Sequence, residues 1–149
     1  MKRLKRFLIF LLCVVGLAWL YCSSLLGVNE QSKQYLLELE AQLIKKDYSP
    51  SYFIISGRRW QLDNYLLSEF GGAAKNSVHK KGQAIDIIVL DVNGDGTYNS
   101  KDVDIVYRIL DKQIIGNKGG LGSYKKESGF FNKQMIHFDS RGKRVRWNR

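Results

Sequence analysis

The chain has 149 residues, 44% of them hydrophobic, a single proline and a formal net charge of +10. That length and apolar content suit one compact domain and exclude a largely disordered chain. Its only two cysteines, Cys13 and Cys22, lie in the N-terminal apolar segment, so the body of the chain has neither a disulfide framework nor a thiolate metal site.

In chain order, Lys2, Arg3, Lys5 and Arg6 precede an uncharged apolar run from Phe7 to about Val28. The run is long enough to cross a hydrocarbon core of about 30 Å. The basic start places that end in the cytoplasm and the body outside it. Residues 1–28 therefore read as an uncleaved membrane anchor, or as a signal peptide if the chain is cut near Cys22. Tyr21 stands where a lipid-attachment motif at Cys22 would need a small residue. The expected location is the inner membrane with the domain in the periplasm or outside the cell, and secretion if the N-terminus is cleaved. Outside the cytoplasm, the cationic excess suits a polyanionic surface such as cell wall or anionic lipid, and nucleic acid is not an expected partner.

Residues 29–50 read as a helical linker. Leu36, Leu37, Leu39 and Leu43 recur at helical spacing up to about Lys46, and "DYSPS" ends the pattern. This helix either lifts the domain off the membrane or packs on its flank. Residues 51–149 form the domain. "YFIIS" reads as a strand, "QLDNYLLSEF" as an amphipathic helix closed by Gly71 and Gly72, and "AIDIIVLDV" as the strongest strand. "SKDVDIVYRILDKQ" is a helix with Val103, Val106, Ile109 and Leu110 on one face. "GNKGGLGS" reads as a glycine-rich turn, "QMIHFDS" as a strand and "KRVRW" as the last strand. Helices and strands mix without regular alternation, which is the α+β class.

The chain has two histidines, His79 and His137, each in or before a strand that carries an acidic residue. Asp86 lies between Ile85 and Ile87, where a carboxylate is costly unless paired or bound to a metal. Two imidazoles and one carboxylate would make a three-ligand site with an open position, the arrangement of hydrolytic zinc. An ion pair between His79 and Asp86 beside an unrelated His137 fits the same spacing.

"SVHKKGQAID" matches the S-x-H-x-x-G-x-A-x-D signature of the zinc D-Ala-D-Ala peptidases, whose fold is shared with the Hedgehog signalling domain. Upstream, "SGRRW" and "GGAAKNS" resemble that family's turn and its lead-in to the first histidine. Downstream, "GGLGSY" and "IHFDSRGKRVRW" resemble its ending. The resemblance covers about Tyr52 to Trp147. It implies a single domain with a small, mainly antiparallel sheet and flanking helices, and a Zn2+ held by His79, Asp86 and His137. It gives Gly82 a tight turn between the first two ligands. It gives Arg59, or Arg58 beside it, a substrate carboxylate or the scissile carbonyl to hold. Asp139 would orient a ligand or move protons, or else pair with Arg141 or Arg144. Where relatives carry a general base near the last histidine, this chain has Gln134 and Met135, which leaves Glu127 and Asp139 as candidates.

"DVNGDGTYNSKD", residues 91–102, follows the twelve-residue pattern of a calcium loop. Asp91, Asn93, Asp95, Thr97, Asn99 and Asp102 are the expected Ca2+ ligands, with Gly96 at the sharp turn. The loop resembles one half of a dockerin repeat. A dockerin needs two copies, so no cohesin partner is expected. Two functions follow: a zinc peptidase cutting peptidoglycan stem peptides or cross-links, of the D,D-carboxypeptidase or endopeptidase type, or a zinc- and calcium-stabilised module that binds cell wall or protein without cleaving it.

Overall fold

The computed structural model describes residues 2–70, 76–125 and 134–148. Gly71, Gly72, most of "GGAAKNS" and Glu127 lie outside the described residues. Helix α1 (Lys2–Leu26) is long and apolar enough, by length and composition, to cross a membrane. It is followed by α2 (Glu30–Lys45), β1 (Tyr52–Ser56), α3 (Gln61–Phe70), a short 3-10 turn (Val78–Lys81), β2 (Ala84–Val89), α4 (Ser100–Ile109), a π-helical turn (Leu110–Ile115), β3 (Gly120–Tyr124), β4 (Met135–Asp139) and β5 (Val145–Asn148).

The five strands form one sheet in the order β1-β2-β4-β3-β5. Three pairings are antiparallel and β3–β5 is parallel, so the sheet is mixed. Alternation along the strands divides its two faces. Ile85, Ile87, Val89, Leu121, Ile136 and Phe138 point into the core. That side is covered by Tyr35, Leu39 and Leu43 of α2 and by Val103, Val106 and Ile109 of α4. Helix α2 thus packs on the flank of the domain: Leu39 and Leu43 belong to the same core as the strands, Leu36 packs against it, and Leu37 is exposed. Asp86, His137 and Asp139 occupy the alternate positions on β2 and β4, and so share the opposite face.

One expected element differs. "GNKGGLGS" is not wholly a turn, because its second half forms β3, hydrogen-bonded between β4 and β5. Glycine reads as a strand breaker, yet here it makes room. A Cβ on Gly120 would strike the Asp139 carboxylate, and one on Gly122 would enter the Trp147 indole. Close approach by neighbouring groups is a common reason for glycine inside a strand.

The expected calcium loop is ordered by its own backbone, and the structure gives no support to a calcium site. Asp91 accepts from the N–H groups of Gly94, Asp95 and Gly96. Asp95 accepts from the backbone N–H of Thr97 at 2.9 Å and from its hydroxyl at 2.6 Å. Asn93 and Asn99 bond within the loop. Asp102 is buried, and its carboxylate is taken up by backbone N–H groups of the loop. Its Oδ1 accepts from Val92 N at 2.9 Å and Asn93 N at 3.2 Å, and its Oδ2 from Asn99 N at 2.8 Å. With Asn99 it forms a capping box that starts α4 and ties the helix to the end of β2.

Asp111, in the π-helical turn, binds Arg144 at 2.9 Å and Arg146 at 2.6 Å and so ties that turn to β5. Burial opposes its charge, but the two guanidiniums more than offset this and lower its pKa. A lowered carboxylate pKa contributes stability above the unfolded value of about 3.9 and loses it as the pH falls through the folded value.

Two measurements check these assignments. Asp102→Ala removes a cap and leaves the Val92 N–H without its acceptor, so chemical denaturation should show a loss of about 2–3 kcal/mol. Asp111→Asn should lower the melting temperature at neutral pH, and the gap to the unaltered chain should narrow progressively as the pH falls below the unfolded carboxylate value of about 3.9.

Candidate metal centre

His79, Asp86 and His137 each present a ligand atom on one point, with the three atoms within 4.8 Å of one another. Strand register accounts for two of them. Asp86 on β2 is directly opposite His137 on β4. His79 comes from the 3-10 turn just before β2. Ser77 caps that turn by accepting from His79 N at 3.3 Å, and Gly82 closes it at φ +67°, in the left-handed region. A bulge between Ile54 and Ser56 sets Ser56 opposite Asp86, and so brings the Ser56–Arg59 turn beside the cluster.

Outer hydrogen bonds decide which imidazole atoms are free. Nδ1 of His79 lies 2.5 Å from the carbonyl oxygen of Gly57. A carbonyl only accepts, so Nδ1 carries the proton and donates, leaving Nε2 with its lone pair. That Nε2 is 3.1 Å from Asp86 Oδ2 and 3.1 Å from His137 Nδ1. On His137 the tautomer is the mirror case. Nε2 donates to Asp139 Oδ2 at 3.1 Å, which leaves the lone pair on Nδ1, 2.7 Å from Asp86 Oδ1. Three acceptors thus face one another: two imidazole nitrogens and a carboxylate. Acceptors packed this closely need a cation between them, either a proton or a metal ion. The donor set of two imidazoles and a carboxylate, each imidazole held from behind by an oxygen, suits a metal ion.

The electrostatics point the same way. Burial raises the energy of ionised Asp86, but His79 and His137 beside it more than compensate and hold its carboxyl far below the usual range. Burial disfavours the charged form of His137, while Asp86 and then Asp139 outweigh it and raise the imidazole's pKa. Without a metal ion, the position between His137 and Asp86 is thus one where positive charge is stabilised.

Asp139 is fully buried behind His137 and bonded on both oxygens. Oδ1 accepts from Gly120 N at 2.9 Å and Arg141 Nε at 2.8 Å, and Oδ2 from Arg141 Nη2 at 2.5 Å. Burial opposes its charge, yet the bonds from His137, Arg141 and Gly120 hold its pKa well below the usual range. Both expected partners of Asp139 are thus real at once: it orients His137 and pairs with Arg141. Arg144 is engaged elsewhere, with Asp111.

Arg59 reaches the cluster itself. Its Nη2 donates to Asp86 Oδ2 at 2.5 Å, its Nε to Ser56 Oγ at 3.0 Å, and its backbone N–H to His79 O at 3.0 Å. Arg58 instead lies over the Trp60 ring. Trp147 packs beside His137 with ring centroids 5.1 Å apart, and its Nε1 donates to the Tyr124 hydroxyl at 2.9 Å. Neither base position near the last histidine is acidic: Gln134 donates to Tyr98 O, and Met135 lies in β4. The Gly57 carbonyl, Gly120 and Trp147 are supports that the motif spacing did not assign. The paired glycines before β3 were the available signal for Gly120.

No family model matches the chain, and no curated protein matches it. Among solved structures it is similar to the crystal structure of Serratia marcescens L-Ala D-Glu endopeptidase ChiX, at 14% sequence identity over 79% of this chain and 84% of that one, with a TM-score of 0.46. A likeness of that size leaves the functional reading to the site itself.

Proposed function

We propose that the chain is a zinc-dependent peptidase acting on peptidoglycan stem peptides or their cross-links, held at the outer face of the inner membrane by α1. The observation that carries this reading is the convergence of His79 Nε2, His137 Nδ1 and the Asp86 carboxylate, with both imidazole tautomers fixed from outside. These three residues would hold the ion and leave a coordination position open. When bound, the ion supplies Lewis acidity for the scissile carbonyl and for a water molecule.

The chain's own residues set the rest. Gly57 and Asp139 hold the two imidazoles in the ligating tautomer. Arg59 and Arg141 lie beside the cluster with 16% and 24% of their side chains exposed. Their two positive charges balance Asp86 and Asp139, so a divalent ion would leave the site net positive. Such a site favours a substrate with a free carboxylate, as peptidoglycan stem peptides have. The sequence resemblance gives Arg59 the role of meeting that carboxylate; in this structure its Nη2 and Nε are taken up by Asp86 and Ser56. The D,D-type bond specificity rests on the same resemblance.

One observation favours a second reading, a zinc-held module that binds cell wall without cleaving it. Among the described residues, Asp86 and Asp139 are the carboxylates that bond the imidazoles, and Asp139 is buried and fully engaged, in no position to serve as a general base toward substrate.

The two readings separate on purified peptidoglycan incubated with the full chain, with released peptides followed by mass spectrometry. The peptidase reading expects peptide release that a chelator abolishes and Zn2+ restores, and that falls about a hundredfold or more in His137→Ala. Stoichiometric zinc with sedimentation onto peptidoglycan and no released peptide would favour the module.

A further inference from the structure

The last turn of α1 does more than end a membrane segment. Ser24 makes three hydrogen bonds to the turn that follows β1. Its Oγ donates to Arg58 O at 2.8 Å and accepts from Gly57 N at 3.2 Å, and its carbonyl accepts from Arg58 N at 2.9 Å. The two Oγ bonds hold the groups on either side of the Gly57–Arg58 peptide, and the third bond fixes that peptide itself. Arg58 N–H and Gly57 C=O belong to one peptide unit, which is planar, so the two groups point in opposite directions. Fixing the N–H on Ser24 therefore aims the Gly57 carbonyl at His79 Nδ1, the contact that leaves Nε2 free to ligate.

The approach is close, and three glycines allow it. A Cβ on Gly57 would lie 2.7 Å from Ser24 O and from a Val28 methyl. One on Gly27 would lie 2.6 Å from Arg58 Cδ, and one on Gly82 would lie 2.1 Å from Gly27 O. Asn29 N also donates to Gly82 O at 2.7 Å, and the Tyr21 hydroxyl donates to Ile54 O at 2.8 Å. The segment from Tyr21 to Asn29 thus bonds both turns that flank His79.

We infer that the end of α1 is a working part of the metal centre, with Ser24 a positioning residue that acts on His79 through the Gly57–Arg58 peptide. The inference rests on the reading of His79, Asp86 and His137 as metal ligands. Where α1 spans a membrane, it sets the centre against the membrane surface, not at the tip of a separate arm.

The test is zinc affinity of the full chain in lipid nanodiscs, measured by competition with a chromophoric chelator, beside the melting temperature of each variant. Ser24→Ala removes both Oγ bonds to the Gly57–Arg58 turn and keeps only the backbone one, so it should weaken zinc binding about tenfold, as expected when the outer support of a ligating imidazole is loosened. Asp102→Ala, which uncaps α4 at the far end of β2, should melt at least as early and bind zinc as the unaltered chain does. Unchanged affinity in Ser24→Ala would overturn the inference, as would an equal loss in Asp102→Ala, which would make the effect one of general stability. Failure of the unaltered chain to bind one zinc, or undiminished binding by His137→Ala, would overturn the metal-centre reading and the inference with it.

Discussion

The structure depends on one buried charge. Asp86 sits in the middle of β2 with Ile85 and Ile87 on either side, and it is nearly inaccessible to water. An isolated carboxylate there would cost several kcal/mol. It is retained because Arg59, His79 and His137 all converge on it, and each of these is held in turn by a second group. Ser56 holds Arg59, the Gly57 carbonyl holds His79, and Asp139 holds His137. Behind Asp139 stand Gly120 and Arg141.

That arrangement explains features that look unrelated in the chain. The bulge in β1 exists where the strand must bring Ser56, and the turn after it, to Asp86. β3 is built on glycines because the Asp139 carboxylate and the Trp147 indole occupy the space that side chains would fill. The core on the other face, from α2, α4 and the alternate strand residues, fixes the register that sets Asp86 across from His137. A slip of one residue in that pairing would carry the ligands into the apolar core.

Of the cluster, only His79 and Asp86 are close in the chain; spacing alone left His137, 51 residues beyond Asp86, as an unrelated histidine. The resemblance of "SVHKKGQAID" and "IHFDSRGKRVRW" to one family's blocks is what joined the three. The helix at 100–109 was legible from Val103, Val106 and Ile109 at helical spacing, and all three are buried. β3 was not legible, because the reason for its glycines lies on β4 and β5, far away in sequence. The calcium loop is an expectation to which the structure adds no support. Asp91, Asp95 and Asp102 have the right spacing for a cation, but the same side chains also serve as turn and helix caps, and spacing alone does not say which. Asp102 serves the cap. The contact of α1 with the turn at 56–59 is likewise invisible in a pattern that marks residues 1–28 only as apolar.

The proposed function stands on zinc held by His79, Asp86 and His137. Its most direct test is X-ray absorption at the zinc edge on the full chain loaded with one equivalent of Zn2+. Zinc on these residues should show a shell of nitrogen and oxygen donors at about 2.0–2.2 Å, two of them with the outer scattering of imidazole rings. A shell containing sulfur at about 2.3 Å, which only Cys13, Cys22 or the two methionines could supply, or one with no imidazole, would contradict it.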